Sequence, residues 1–128
     1  MTDRPTYRLG DLQLRIMRVL WEQGAARVVD VQRQLDGDQL AYTTIATMLR
    51  KMEDRGLVQH KEQQRKFVYE PLVSADEVTR CMADDIVDRL FDGSLADTVS
   101  HLLRTREVSH DELEQLEKLI KQRRRKRV

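Results

Sequence analysis

The chain has 128 residues, 23 Lys and Arg against 22 Asp and Glu, and a formal net charge of +1, which is room for one ordinary domain or a small domain with an appendage. No apolar run reaches the roughly 18 residues that a membrane-spanning helix needs, and the opening MTDRPTYRLG lacks the apolar centre of a secretory signal. The one cysteine, Cys81, permits no intrachain disulfide and suits a reducing compartment, so a cytoplasmic location is expected.

The first predicted element is a helix from about Leu9 to Glu22, where Leu12, Ile16, Val19 and Leu20 repeat at helical spacing and bury one stripe. Trp21 adds a large apolar anchor near its end, and Gly24 breaks it. A shorter helix over Val29–Leu35 carries Val31 and Leu35 on one face, and Asp36-Gly37-Asp38 makes a turn. The next helix, starting after Ala41, has a divided surface. At about 100° per residue, Ile45, Met48, Leu49 and Met52 fall on one side, and Thr43, Thr47, Arg50 and Lys51 fall nearly opposite. That polar side has small hydroxyls first, cations later, and no carboxylate before Glu53. A solvated helix usually mixes signs, whereas a helix in a DNA groove must face phosphates or base edges throughout.

Gly56 is placed to stop this helix in a left-handed conformation, and Leu57-Val58 begins an extended run. Gln59–Lys61 and Lys66–Glu70 read as two strands, the second alternating around Phe67 and Tyr69. Between them Glu62-Gln63-Gln64-Arg65 forms a polar turn flanked by Lys61 and Lys66. Helix, glycine, strand, basic turn, strand is the order of a recognition helix followed by a β-wing; an ordinary helix–hairpin with a solvated tip is the plainer alternative.

Three further helix starts are marked by Ser74-x-x-Glu77, Ser94-x-x-Asp97 and Ser109-x-x-Glu112. The first carries Val78, Met82, Ile86, Val87, Leu90 and Phe91 and ends at Asp92-Gly93; the second carries Leu95, Val99, Leu102 and Leu103; the third carries Leu113, Leu116, Leu119 and Ile120. Residues 1–71 hold 12 basic and 10 acidic side chains, residues 72–120 hold 5 and 12, and residues 121–128 hold 6 and none. An acidic middle segment is repelled by DNA, and three short amphipathic helices bury too little surface alone. Two copies interleaved around a twofold axis solve the second problem and give the acidic segment a role away from DNA; packing on the winged helix of the same chain is the alternative. The seam is expected to use Val87, Leu90, Phe91, Leu95, Val99, Leu102, Leu103, Leu113, Leu116 and Ile120.

The expected fold is therefore mainly α with a small β-wing. A winged helix-turn-helix occupies residues 7–71, a three-helix dimerisation region residues 72–120, and a basic tail residues 121–128. The six cations of the tail repel one another along a helix, so a frayed, solvated end is expected there.

Leu9-Gly10-Asp11-Leu12, Val19-Leu20-Trp21, Ala41-Tyr42-Thr43-Thr44, the Leu49–Leu57 stretch and Phe91-Asp92-Gly93-Ser94 together resemble the penicillinase-repressor family (BlaI/MecI/CopY type) over roughly residues 7–120. The resemblance implies a homodimeric winged-helix repressor on a palindromic operator, relieved in one branch by a membrane-bound metalloprotease that senses β-lactams. It implies base readout at Thr43, Thr44, Ala46 and Thr47, where an alanine offers only methyl contact to a thymine. Arg50 and Lys51 have the reach for phosphates or a guanine edge, and Lys61, Arg65 and Lys66 belong to the wing. Tyr42 has two roles open to it, a hydroxyl on a phosphate or a ring packed on the first helix.

The chain departs from the family at two points. The asparagine–phenylalanine bond cut in proteolytically regulated members is matched here by His101 and Leu102. The paired cysteines of the copper-responsive branch are missing, since only Cys81 is present, and this excludes a soft-metal thiolate site. No cofactor is expected, and His60, His101 and His110 share no metal-ligand spacing. Asp84, Asp85 and Asp88 read as a solvated face, and Cys81 as a small core residue. With no phosphate loop and no nucleophile elbow, an enzyme is not expected. A winged-helix adaptor for proteins is the alternative function, and it would show apolar residues on the polar face of the Thr43–Lys51 helix.

Overall fold

A computed structural model describes residues 7–35 and 39–126. The elements in chain order are α1 (Asp11–Gln23), α2 (Val28–Gln34), α3 (Tyr42–Asp54), β1 (Val58–Gln63), β2 (Lys66–Pro71), α4 (Ala75–Phe91), α5 (Leu95–Thr105) and α6 (His110–Arg125). The expected turn at Asp36-Gly37-Asp38 and the last cation, Arg127, lie outside the described residues. The chain divides into two compact units, one through Asp85 and one from Ile86, so the division falls inside α4.

In the first unit the helical stripes meet as their periodicity requires. Ile16, Met17 and Leu20 of α1, Val31 of α2, and Ile45, Leu49 and Met52 of α3 are fully buried in one core. Helix α1 ends on Gly24, and α3 ends in a Schellman arrangement. There Gly56 sits at φ +79°, its N–H donates to the Glu53 carbonyl at 3.0 Å, and the Leu57 N–H donates to the Met52 carbonyl at 3.0 Å. An L side chain is strained at that φ, which is why glycine stands there.

The two strands pair antiparallel from Val58↔Pro71 to Gln63↔Lys66, so they run longer than the alternation alone suggests. The turn shrinks to Gln64 and Arg65, both with positive φ (51° and 66°). Ala26, between α1 and α2, adds a third, one-residue rung: its N–H donates to the Tyr69 carbonyl at 2.9 Å and its carbonyl accepts from the Tyr69 N–H at 2.8 Å. The connection to α4 is tied down twice. The Trp21 indole N–H donates to the Val73 carbonyl at 2.8 Å, and the Tyr7 hydroxyl donates to Glu77 at 2.7 Å. Accepting from that hydroxyl, Glu77 holds the Tyr7 pKa above its ordinary value.

All three serine caps form: the hydroxyls of Ser74, Ser94 and Ser109 accept from the backbone N–H of Glu77, Asp97 and Glu112 at 3.0, 3.0 and 3.1 Å. Val78 of α4 is buried in the winged-helix core with Met82 packed against it, and Cys81 is half-buried. In the second unit, Leu90, Leu95, Leu102, Leu103, Leu113, Leu119 and Ile120 are exposed, and Thr98 is the only buried side chain among the described residues. The frayed end expected for the tail is corrected: α6 runs through the basic stretch to Arg125. Arginine is a good helix former, and cations in the last turn complement the helix dipole, which outweighs their mutual repulsion in water. Among the described residues no helix is long and apolar enough to cross a membrane.

Candidate nucleic-acid interface

Helix α3 is held in place by residues that leave its outer face alone. The Gln13 side chain accepts from the Gly10 N–H at 3.3 Å and from Arg55 at 3.1 Å, and donates to the Met48 sulfur at 3.4 Å. Arg55 also donates to the Arg8 carbonyl at 3.3 Å, fastening the end of α3 to the start of α1. On the α2 side, Gln32 donates to the Leu40 carbonyl at 3.1 Å, just before α3 begins. With Ile45, Leu49 and Met52 pinned inward, Tyr42, Thr43, Thr44, Thr47, Arg50 and Lys51 are all exposed and Ala46 is half-buried.

One concavity joins this helix to the wing. It is lined by Tyr42, Ala46, Arg50 and Glu53 of α3, by His60, Arg65, Lys66, Phe67 and Tyr69 of the hairpin, and by Arg27, Val28 and Val29 at the start of α2. Arg27 is engaged with Asp30 at 3.1 Å, and its guanidinium holds the Asp30 carboxyl below the usual carboxylate range. The side chains of Arg50, Arg65 and Lys66 make no hydrogen bond or ion pair with any described residue. Three open cations around a cleft with one carboxylate give a surface selective for anions.

Lys61 lies elsewhere. Register and alternation place it on the other face of the hairpin, where it pairs with Glu70 at 3.1 Å. Gln59 also donates to Glu70, and together Gln59 and Lys61 hold the Glu70 carboxyl below its ordinary pKa. The geometry thus gathers nine of the ten expected DNA-contact residues on α3 and the adjoining wing tip, and sets Lys61 apart.

The residues missed by sequence reasoning are Glu53, His60 and Phe67. Glu53 accepts from the His60 backbone N–H at 3.2 Å, and the His60 Nδ1 lies 2.8 Å from each carboxylate oxygen. A carboxylate only accepts, so Nδ1 carries the hydrogen. The His60 ring tilts on Phe67 at 4.8 Å and on Tyr69 at 5.6 Å between centroids. Burial, then the nearby Glu53, pushes the Tyr69 hydroxyl pKa up. The signal in the sequence was the two-residue alternation that puts His60, Phe67 and Tyr69 on one hairpin face.

A trihelical core, a two-stranded wing and an outward cationic face on the third helix define a winged helix-turn-helix protein. The sequence matches the penicillinase repressor family over residues 9–122, and the chain belongs to that family. It is 23% identical over 116 residues to the penicillinase repressor of Bacillus licheniformis, covering 90% of this chain and 91% of that one. It is 30% identical over 116 residues to the transcriptional regulator BlaI of Mycobacterium tuberculosis, covering 88% and 83% respectively. The solution structure of the DNA-binding domain of the repressor BlaI superposes with a TM-score of 0.50 at 27% identity, covering 60% of this chain and 93% of that one.

Proposed function

We propose that this protein is a sequence-specific transcriptional repressor that grips double-stranded DNA with α3 in the major groove and the wing on the flanking backbone. The observation that carries this reading is the outer face of α3, where hydroxyls and cations stand exposed without a carboxylate until Glu53, itself occupied by His60. Thr43, Thr44, Ala46 and Thr47 meet base edges, Arg50 and Lys51 meet phosphate or a guanine edge, and Tyr42, Arg65 and Lys66 meet the backbone. Lys61, tied to Glu70, adds long-range attraction only.

The functional unit in this reading is a homodimer on a palindromic operator, with its seam formed by apolar residues of α4, α5 and α6 between Val87 and Ile120, Leu119 excepted. Leu90 and Leu95 are 71% and 67% exposed, and such a set of uncovered leucines on one chain calls for a partner surface. Pairing places two recognition helices about one DNA turn, or a multiple of it, apart. A cut at His101–Leu102 by a membrane-bound sensor metalloprotease would separate Leu102 and Leu103 from Leu95 and Val99, and so dissolve the seam.

Thr47→Ala and Arg50→Ala test the reading on a duplex selected from a random pool. Loss of a base contact costs roughly 1–3 kcal/mol and relaxes preference at that position. Loss of a phosphate contact weakens binding to every sequence and flattens the salt dependence. Undiminished affinity in the double variant would remove α3 as the recognition helix.

A further inference from the structure

We propose that Phe67 is an apolar DNA contact on the wing, and that Glu53 and His60 are the positioning pair that holds it out for that purpose. The inference rests on the DNA-binding reading above and extends it to three residues that the charge pattern does not mark.

Phe67 and Tyr69 share a strand face, yet Tyr69 is 6% exposed and Phe67 is 55% exposed. The more apolar of the two rings is therefore left in water, on the concavity that also holds Tyr42 and Arg50. Its ring does not lie loose. His60 abuts it at 4.8 Å, and the other side of that contact is the Glu53 carboxylate, which takes both the imidazole Nδ1–H and the His60 backbone N–H. A residue of the recognition helix thus fixes His60 on β1, and the His60 ring abuts Phe67 on the paired strand β2, so wing and helix meet their target as one preset surface. A ring already ordered loses little freedom on binding, and this saving appears as affinity.

The chemistry around Phe67 selects the partner. Lys66 precedes it, Arg65 sits in the turn, and Arg50 faces it across the cleft, all without ion-pair partners among the described residues. An apolar ring that shares a concavity with these cations matches a surface on which anions alternate with apolar carbon. The sugar–phosphate edge of a DNA duplex is such a surface, with deoxyribose C–H groups between phosphates. A hydrophobic protein groove would instead leave three cations facing apolar walls. The ring contact displaces water but no counterion, so it contributes affinity that salt does not screen.

The test uses the full chain and a labelled duplex selected from a randomised pool by the wild-type protein, titrated between about 50 and 200 mM salt. Phe67→Ala should lower affinity about tenfold at every salt concentration with the wild-type slope, while Phe67→Leu recovers part of the loss. Arg65→Ala should show the opposite signature, a flatter slope. Glu53→Ala decides the positioning role, because removing a carboxylate near phosphate should tighten binding if charge alone matters. The proposal requires that Glu53→Ala weaken binding instead, in the same salt-independent manner, and that His60→Ala do likewise. An unaltered melting temperature for Phe67→Ala and Phe67→Leu confirms that the readout is binding. Wild-type affinity in Phe67→Ala, or tighter binding in Glu53→Ala, would overturn this inference and leave the DNA-binding reading standing. Absence of any duplex binding by the wild-type chain would remove both.

Discussion

Helices α3 and α5 carry equally regular apolar stripes, and the molecule treats them in opposite ways. Ile45, Leu49 and Met52 of α3 have no exposed surface, whereas Leu95, Leu102 and Leu103 of α5 are 67%, 42% and 41% exposed. Among the described residues every buried apolar side chain lies at or before Val78. Amphipathic patterning marks a face that must be covered; it does not say whether the cover comes from the same chain. The winged helix supplies its own, through α1, α2, the Ala26 rung and the first turns of α4. The helices from Ile86 onward do not, and in the proposed dimer a second copy does.

Breaking the proposed seam should give the largest effect. Leu102→Asp places a charge in it without touching α3 or the wing, and sedimentation at micromolar concentration should then show a monomer. Operator affinity should fall by about 10²–10⁴ as the two half-sites lose their linkage, with the melting of the winged-helix unit unchanged. A dimer that survives this substitution would mean that the open stripe has another purpose.

The core side of the comparison is sharpened by Leu49→Ala. Truncating a fully buried leucine should cost about 2–5 kcal/mol in urea unfolding. Leu119→Ala, at a position 60% exposed and outside the proposed seam, should stay within about 0.5 kcal/mol. Comparable losses at the two sites would erase the distinction between covered and uncovered stripes.

The smallest effect concerns the Arg27–Asp30 pair at the start of α2. Asp30 accepts from the Arg27 side chain and from its backbone N–H at 3.1 Å, and both contacts lower its carboxyl pKa in the folded state. A depressed folded value gives stability that is present above the unfolded value of about 3.9 and is lost as pH falls through the folded one. Asp30→Asn should therefore unfold at slightly lower urea at neutral pH, with the difference from wild type closing in strong acid. A gap that persisted there would mean that the pair acts by shape and not by charge.

Much of the winged helix could be read from residues alone, because its signals are local. The buried and exposed sides of α3 follow from helical phase and the stop at Gly56 from its needed φ, and beyond the wing the starts of α4, α5 and α6 follow from serine caps. What escaped was non-local or lacked a distinctive residue. The Gln64–Arg65 turn holds both central residues at positive φ without the Asn-Gly signature that marks such turns. The Ala26–Tyr69 rung is one residue pair with no periodicity to reveal it. Val78 and Leu90 both belong to the apolar set of α4, and only the fold shows that the first enters the core while the second stays open. The Glu53–His60 link escaped because each residue alone reads as a solvated polar group.

Trp21 is the chain's single tryptophan, half-buried at the end of α1, with its indole N–H spent on the Val73 carbonyl at 2.8 Å, two residues before α4 begins. The protein therefore carries one indole fluorophore, stationed at the joint between its wing and its long helix, and excitation at the red edge of its absorption selects it over the three tyrosines. Its emission has a single origin, so any shift in wavelength or quenching reports on that joint without a label. Titrating an unlabelled duplex, or adding urea, would show directly whether DNA capture or unfolding first loosens the place where α4 departs.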